Sequence, residues 1–114
     1  MTTIREATID EIAEFDAPGY ETWMCVAEED GKVVGRLRLS RHPGLGQVFG
    51  HDFECDSSDP YAAVRMYKMG KAQARKWGQP HFFIHVDEES NSRSVQFWQD
   101  MGAKAVIVVL KVPL

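Results

Sequence analysis

The chain has 114 residues, 44% of them hydrophobic and 26% charged, with a formal net charge of -4 and a pI near 5.5. This composition belongs to soluble globular domains and excludes a disordered tail or a fibre, and the acidic balance does not favour a sequence-blind grip on nucleic acid. No apolar run reaches the ~18 residues of a membrane span, and "MTTIREATIDE" lacks the basic-then-apolar order of a signal peptide, so one unexported, cytoplasmic domain over residues 1–114 is the expectation.

In chain order, "TIREA" (3–7) predicts a first strand, and "TIDEIAEF" a short helix capped by Thr8 or Asp10. "APGY" ends it. From Thr22 to Arg41 the pattern is a hairpin, with "TWMCVAE" and "VVGRLRLSR" alternating on either side of the Asp-Gly turn in "EDGK". "QVFGHDFECD" predicts a third long strand, with Val48, Phe53 and Cys55 facing inward. "SSDP" predicts a helix start, because Ser58 or Asp59 can accept unpaired amide hydrogens and Pro60 has none to lose at the first helical position.

The helix that follows runs from Tyr61 to Trp77. At 100 degrees per residue it gathers Ala62, Ala63, Met66, Tyr67, Met69, Gly70, Ala74 and Trp77 on one side, and Arg65, Lys68, Lys71, Arg75 and Lys76 on the other. Gly78 and Pro80 stop it. "HFFIHVD" predicts a buried strand, Asn91 to Met101 a helix with Val95, Trp98 and Met101 on one stripe, and "AVIVVLKV" a last strand. The fold class is therefore α/β (α+β): a mixed sheet of about six strands, antiparallel early with a right-handed parallel crossover late, flanked by three helices.

This order, with "IREAT", "VAEEDGKVVG", "AQARKWG" and "NSRSVQFWQDMGA" in sequence, resembles the GNAT (Gcn5-related N-acetyltransferase) family over nearly the whole chain. The resemblance implies acetyl-CoA as cofactor, bound between two central parallel strands, and transfer of acetyl to an amine. The implied pyrophosphate loop is "SSDPYAAV", where Ser57, Ser58, Tyr61, Ala62 and Ala63, with Asn91 on the later helix, are the cofactor-binding candidates. Tyr61 and Ala63 stand where the family has glycines, and Asp56 and Asp59 add negative charge beside the expected phosphates.

The family's proton donor to the departing thiolate is a tyrosine seven residues after the helix-starting asparagine. Counting from Asn91 gives Trp98, whose indole N–H is too weak an acid for that task. For the base, His51, Asp52 and Glu54 lie on the corresponding strand, and a strict two-residue period sets His51 on the face opposite Asp52 and Glu54. The "S-D" turn, the lost tyrosine and Gly102-Ala103 also resemble small GNAT-like internal virion proteins of T7-like podophages, which implies a virion or assembly role in a host cell.

Other patterns point to less chemistry. Cys25 and Cys55 lack C-x-x-C spacing, and the resemblance puts them roughly 9.6 Å apart across an intervening strand, beyond disulfide reach. His81 and His85 on one strand lie roughly 13 Å apart, too far to share a metal. Trp77, Phe82, Phe83, Phe97 and Trp98 are expected in the core. The interval 8–21 holds one helix where the family has two, and "AVIVVLKV", apolar on both faces, calls for a neighbour and so for self-association or a protein partner.

Three readings follow. One is a non-catalytic interaction protein with an eroded acetyl-CoA site, whose coenzyme binding is weakened and not abolished, presenting the α-helical face of Arg65, Lys68, Lys71, Arg75 and Lys76. A second is an acetyl-CoA-dependent N-acetyltransferase acting on a small molecule or protein, and a third is a nucleic-acid module using the basic face.

Overall fold

The Asp-Gly turn sets the frame of the sheet. In the computed structural model, which describes residues 2–15, 19–42, 44, 46–84, 92–104 and 110–114, Asp30 and Gly31 adopt φ of 50° and 78°. Two consecutive left-handed residues match the twist of a tight hairpin, and Gly31 carries no side chain to oppose it. They join β2 (Glu21–Glu29) to β3 (Lys32–His42), paired from Glu29↔Lys32 to Glu21↔Arg41. β1 (Thr2–Glu6) lies antiparallel to β2, and β4 (Gln47–Cys55) antiparallel to β3. After the crossover helix α2 (Ala62–Lys76), β5 (Phe83–Ile84) pairs parallel with β4 through Phe49↔Phe83 and Gly50↔Ile84.

The sheet order is β1-β2-β3-β4-β5, five strands among the described residues where about six were expected. Of the anticipated last strand, residues 105–109 lie outside the described residues, and Leu110–Leu114 belong to no strand. The rest of "HFFIHVD" beyond Ile84 also lies outside them, so the described pairing of β5 is two residues long. Helices α1 (Ile9–Ala13) and α3 (Ser92–Asp100) complete the mixed α/β architecture.

Alternation decides the core. Trp23, Cys25 and Ala27 of β2, Leu37 and Leu39 of β3 and Val48 of β4 form one buried face, covered by Met66 of α2 and Trp98 of α3. Burying a side chain such as Leu37 or Leu39 stabilises the fold by about 1.5–3 kcal/mol. A β-carbon on Gly70 would stand 2.8 Å from Leu37 Cδ2, so glycine here lets α2 approach the sheet closely. Met24 and Val26 are buried by the same parity on the other face, the side of α1.

The helix ends follow their sequence signals with one shift. Thr8, and not Asp10, caps α1: its side chain accepts from Glu11 N, and Glu11 Oε1 accepts from Thr8 N at 2.9 Å, a reciprocal capping box. α2 begins one residue later than expected. Pro60 lies in the turn before it, Tyr61 is the cap residue, and Asp59 Oδ1 accepts from Tyr61 N at 2.8 Å. Its C-terminus closes on Gly78 (φ 77°), with Gly78 N donating to Arg75 O and Gln79 N to Ala74 O. α3 ends the same way on Gly102 (φ 99°).

Trp98 is buried, Met101 half-buried, and Val95 lies outside the residues whose side chains are described. Phe83 departs from the expected core: its ring meets Phe49 and His81, with centroids 5.7 and 5.0 Å away. Cys25 and Cys55 are free thiols on β2 and β4, with β3 between them.

Candidate functional site

The turn from β4 into α2 brings Ser57 and Ser58 together, but around a carboxylate of this chain. Glu29, at the end of β2, is opposite Thr2 in the β1–β2 register. Its Oε1 accepts hydrogen bonds from Thr2 Oγ1, from Ser57 Oγ at 2.5 Å, and from Ser58 N and Ser58 Oγ at 2.9 Å each. Hydrogen bonds from Ser57, then Thr2 and Ser58, hold the Glu29 carboxyl down to about 2, so it is an anion at neutral pH. Donors converging on one oxygen at a helix entrance are the arrangement that binds oxyanions.

The adjoining Asp59 is likewise engaged, its Oδ1 by Tyr61 N and its Oδ2 by Arg65 Nη2. With its hydroxyls and the Ser58 amide turned to Glu29, the loop as it stands does not fit a coenzyme diphosphate. Of the other cofactor candidates, Tyr61 is 70% exposed, Ala62 is fully buried against the sheet, and Ala63 is half-buried. Asn91 lies outside the described residues.

On β4 the expected placement of His51 is overturned. Arg38 pairs with Asp52 and Leu39 with Gly50, so His51 is an extra residue without a cross-strand partner. This β-bulge resets the two-residue period and turns His51 to the same face as Asp52. There Asp52 Oδ2 meets Arg38 Nε at 2.7 Å, Glu54 Oε1 meets Arg36 Nε at 3.0 Å, and His51 Nε2 meets Ser40 Oγ. Both carboxylates are thus occupied by arginines. Burial, helped by the Arg38 charge and opposed by Asp52, lowers the His51 pKa, leaving a neutral imidazole at neutral pH. Arg38 also lies over the Phe15 ring, 4.6 Å from its centroid.

On the opposite face, Trp98 is 3% exposed. Its ring contacts Phe53 of β4, Tyr67 of α2, Phe82 and Phe97, with centroids 5.0–5.8 Å apart. Its Nε1–H is buried and has no hydrogen-bond partner among the described residues. The Tyr67 hydroxyl, the phenol in contact with Trp98, donates to Met101 O at 3.1 Å. Packing accounts for this assembly, and nothing in it supplies a free acid.

The basic helix face is less uniform than its sequence. Arg65 is held by Asp59 and Thr2 O, and Lys71 Nζ lies 5.3 Å from the Tyr67 ring centroid. Lys68, Arg75 and Lys76 are exposed. No group of three His, Cys, Asp or Glu residues is placed to hold a metal among the described residues, and His85 lies outside them.

Sequence reasoning found Ser57 and Ser58 but missed Thr2, Glu29 and Ser40. The available signal was the "EED" run at the hairpin end, which could be matched to "SSD" only once the strand register was known.

No protein-family model matches the sequence. No curated protein matches it either. Solved structures do. A Pyrococcus furiosus protein provisionally described as an acetyl transferase aligns over 100% of both chains with a TM-score of 0.74 at 14% identity. Ribosomal-protein-alanine N-acetyltransferase from Brucella melitensis aligns over 100% of both chains at 0.71 and 11%. An aminoglycoside acetyltransferase from an uncultured soil metagenomic sample covers 100% of this chain and 99% of its own at 0.69 and 10%. At such identities the likeness is one of fold, and the chain has the mixed α/β fold of the GNAT acetyltransferases.

Proposed function

We propose that this chain is a GNAT-fold domain that acts by binding another protein and does not transfer acetyl groups. Trp98 carries the reading. Acyl transfer from a thioester needs a proton for the departing thiolate, and the position at which the family resemblance implies a phenol holds a buried indole, a far weaker acid. The remaining β4 groups agree with it, since Asp52 and Glu54 are each paired with an arginine. The exposed cations Lys68, Arg75 and Lys76 on α2, a helix with no acidic residue, supply a surface suited to an acidic protein partner. Virion assembly is the setting that the podophage resemblance implies for such contacts.

Calorimetric titration with acetyl-CoA, followed by an assay for transfer to a panel of amines, tests the proposal. No transfer is expected. Micromolar binding accompanied by acetyl transfer overturns it. The competing reading, an N-acetyltransferase with His51 as base, is favoured by the neutral imidazole beside Ser40, and requires that transfer exist and vanish in His51→Ala.

A further inference from the structure

We infer that Glu29 is a built-in occupant of an oxyanion seat: its carboxylate takes the donors that the β4–α2 turn would offer to a phosphate, and keeps phosphorylated ligands out. The inference concerns ligand exclusion and stands independently of the Trp98 argument, which concerns proton transfer.

Four donor atoms converge on one oxygen, and they come from separate parts of the chain: Thr2 on β1, and Ser57 and Ser58 after β4. Thr2 Oγ1 and Ser57 Oγ are also 2.8 Å from each other, so the hydroxyls form one cluster. A surface glutamate would ordinarily be satisfied by water. Here it gathers three hydroxyl-bearing residues and a backbone N–H at the approach to α2, the kind of donor set a phosphate oxygen would use.

Exclusion has two parts. Glu29 Oε1 occupies the space, and its negative charge, with those of Asp56 and Asp59 nearby, repels an incoming anion. Glu29 enters from the β2–β3 hairpin, which Asp30 and Gly31 close immediately after it, so the carboxylate is delivered by an element separate from the turn it fills. Its removal leaves Thr2, Ser57 and Ser58 on their own backbones, with Arg65 nearby at Thr2 O.

The test uses the full chain and inorganic pyrophosphate, titrated by calorimetry at low salt into wild type, Glu29→Ala and Glu29→Gln, with circular dichroism and melting curves on each. Glu29→Ala is expected to bind pyrophosphate about tenfold or more tightly than wild type, as donors and charge are released together. Glu29→Gln, which removes the charge but keeps an acceptor oxygen, is expected to fall between them. Adding Ser57→Ala and Ser58→Ala to Glu29→Ala should abolish the gain.

Folded Glu29→Ala with wild-type affinity overturns the inference, and so does loss of cooperative folding in both single variants, which would make Glu29 a structural tie. These outcomes separate from the acetyl-transfer test, because a gain of pyrophosphate binding in the variant says nothing about turnover, and absence of turnover does not create that gain.

Discussion

An added methyl group meets different kinds of neighbour at Gly35 and at Gly50. At Gly35 the new β-carbon would stand 2.8 Å from Glu54 O and 3.1 Å from Cys55 Cα, both backbone atoms of the adjacent strand. At Gly50 it would stand 2.5 Å from Ile84 Cδ1, the free end of a half-buried side chain. Backbone in a paired strand cannot withdraw without breaking the ladder, whereas a side-chain tip can rotate. Gly35→Ala is expected to cost about 2–3 kcal/mol and Gly50→Ala about 1 kcal/mol, read as urea midpoints at constant slope. Equal shifts would show that the β3–β4 pairing is more compliant than its register indicates. Neither neighbour is visible in the sequence: Gly35 meets Cys55 in a register that the bulge at His51 sets, and Gly50 meets Ile84 through the parallel β4–β5 pairing. The same offset put His51 on the wrong face when a uniform period was applied, and it explains why Ser40 was not recognised as its partner.

Among the elements, α1 is held by polar contacts, having no buried residue of its own. Glu11 accepts from Thr8 N at 2.9 Å and from Arg5 Nη1 at 2.8 Å, while Arg5 also reaches Glu28. The Arg5 side-chain hydrogen bond, then that of the Thr8 amide, holds the Glu11 carboxyl down to about 2 from an ordinary 4.5. Because the folded value is depressed, the stabilisation is complete above 4.5 and is lost as pH falls through about 2. Glu11→Gln should therefore melt below wild type at neutral pH, with the difference shrinking to nothing at the acid end of that window. A difference independent of pH would deny the carboxylate its role. The capping residue Thr8 and the Asp-Gly hairpin were legible in advance, since each is a local signal read within a few residues. The Glu29 seat was not, because its members lie on three segments joined only by strand pairing.

Across the whole molecule, the described residues support the sheet unevenly. One face carries Leu37, Leu39, Val48, Met66 and Trp98 in a single cluster, while the other carries Met24 and Val26 near a five-residue helix and a row of arginine–carboxylate pairs. Leu37→Ala is expected to cost about 3 kcal/mol, and Phe49→Ala, half-buried on the lighter face, about 1 kcal/mol, measured by chemical denaturation. Comparable losses would mean that the second face holds as much of the fold as the first. The order of strands carries a further consequence for biosynthesis. β2, β3 and β4 each pair with the strand made just before, so a nascent chain leaving the ribosome finds the hydrogen-bonding partner of each already waiting. The greasy side of that meander stays wet until Met66 and its helix are translated. During that interval the growing polypeptide carries an uncovered apolar face, the kind of surface through which unfinished chains clump.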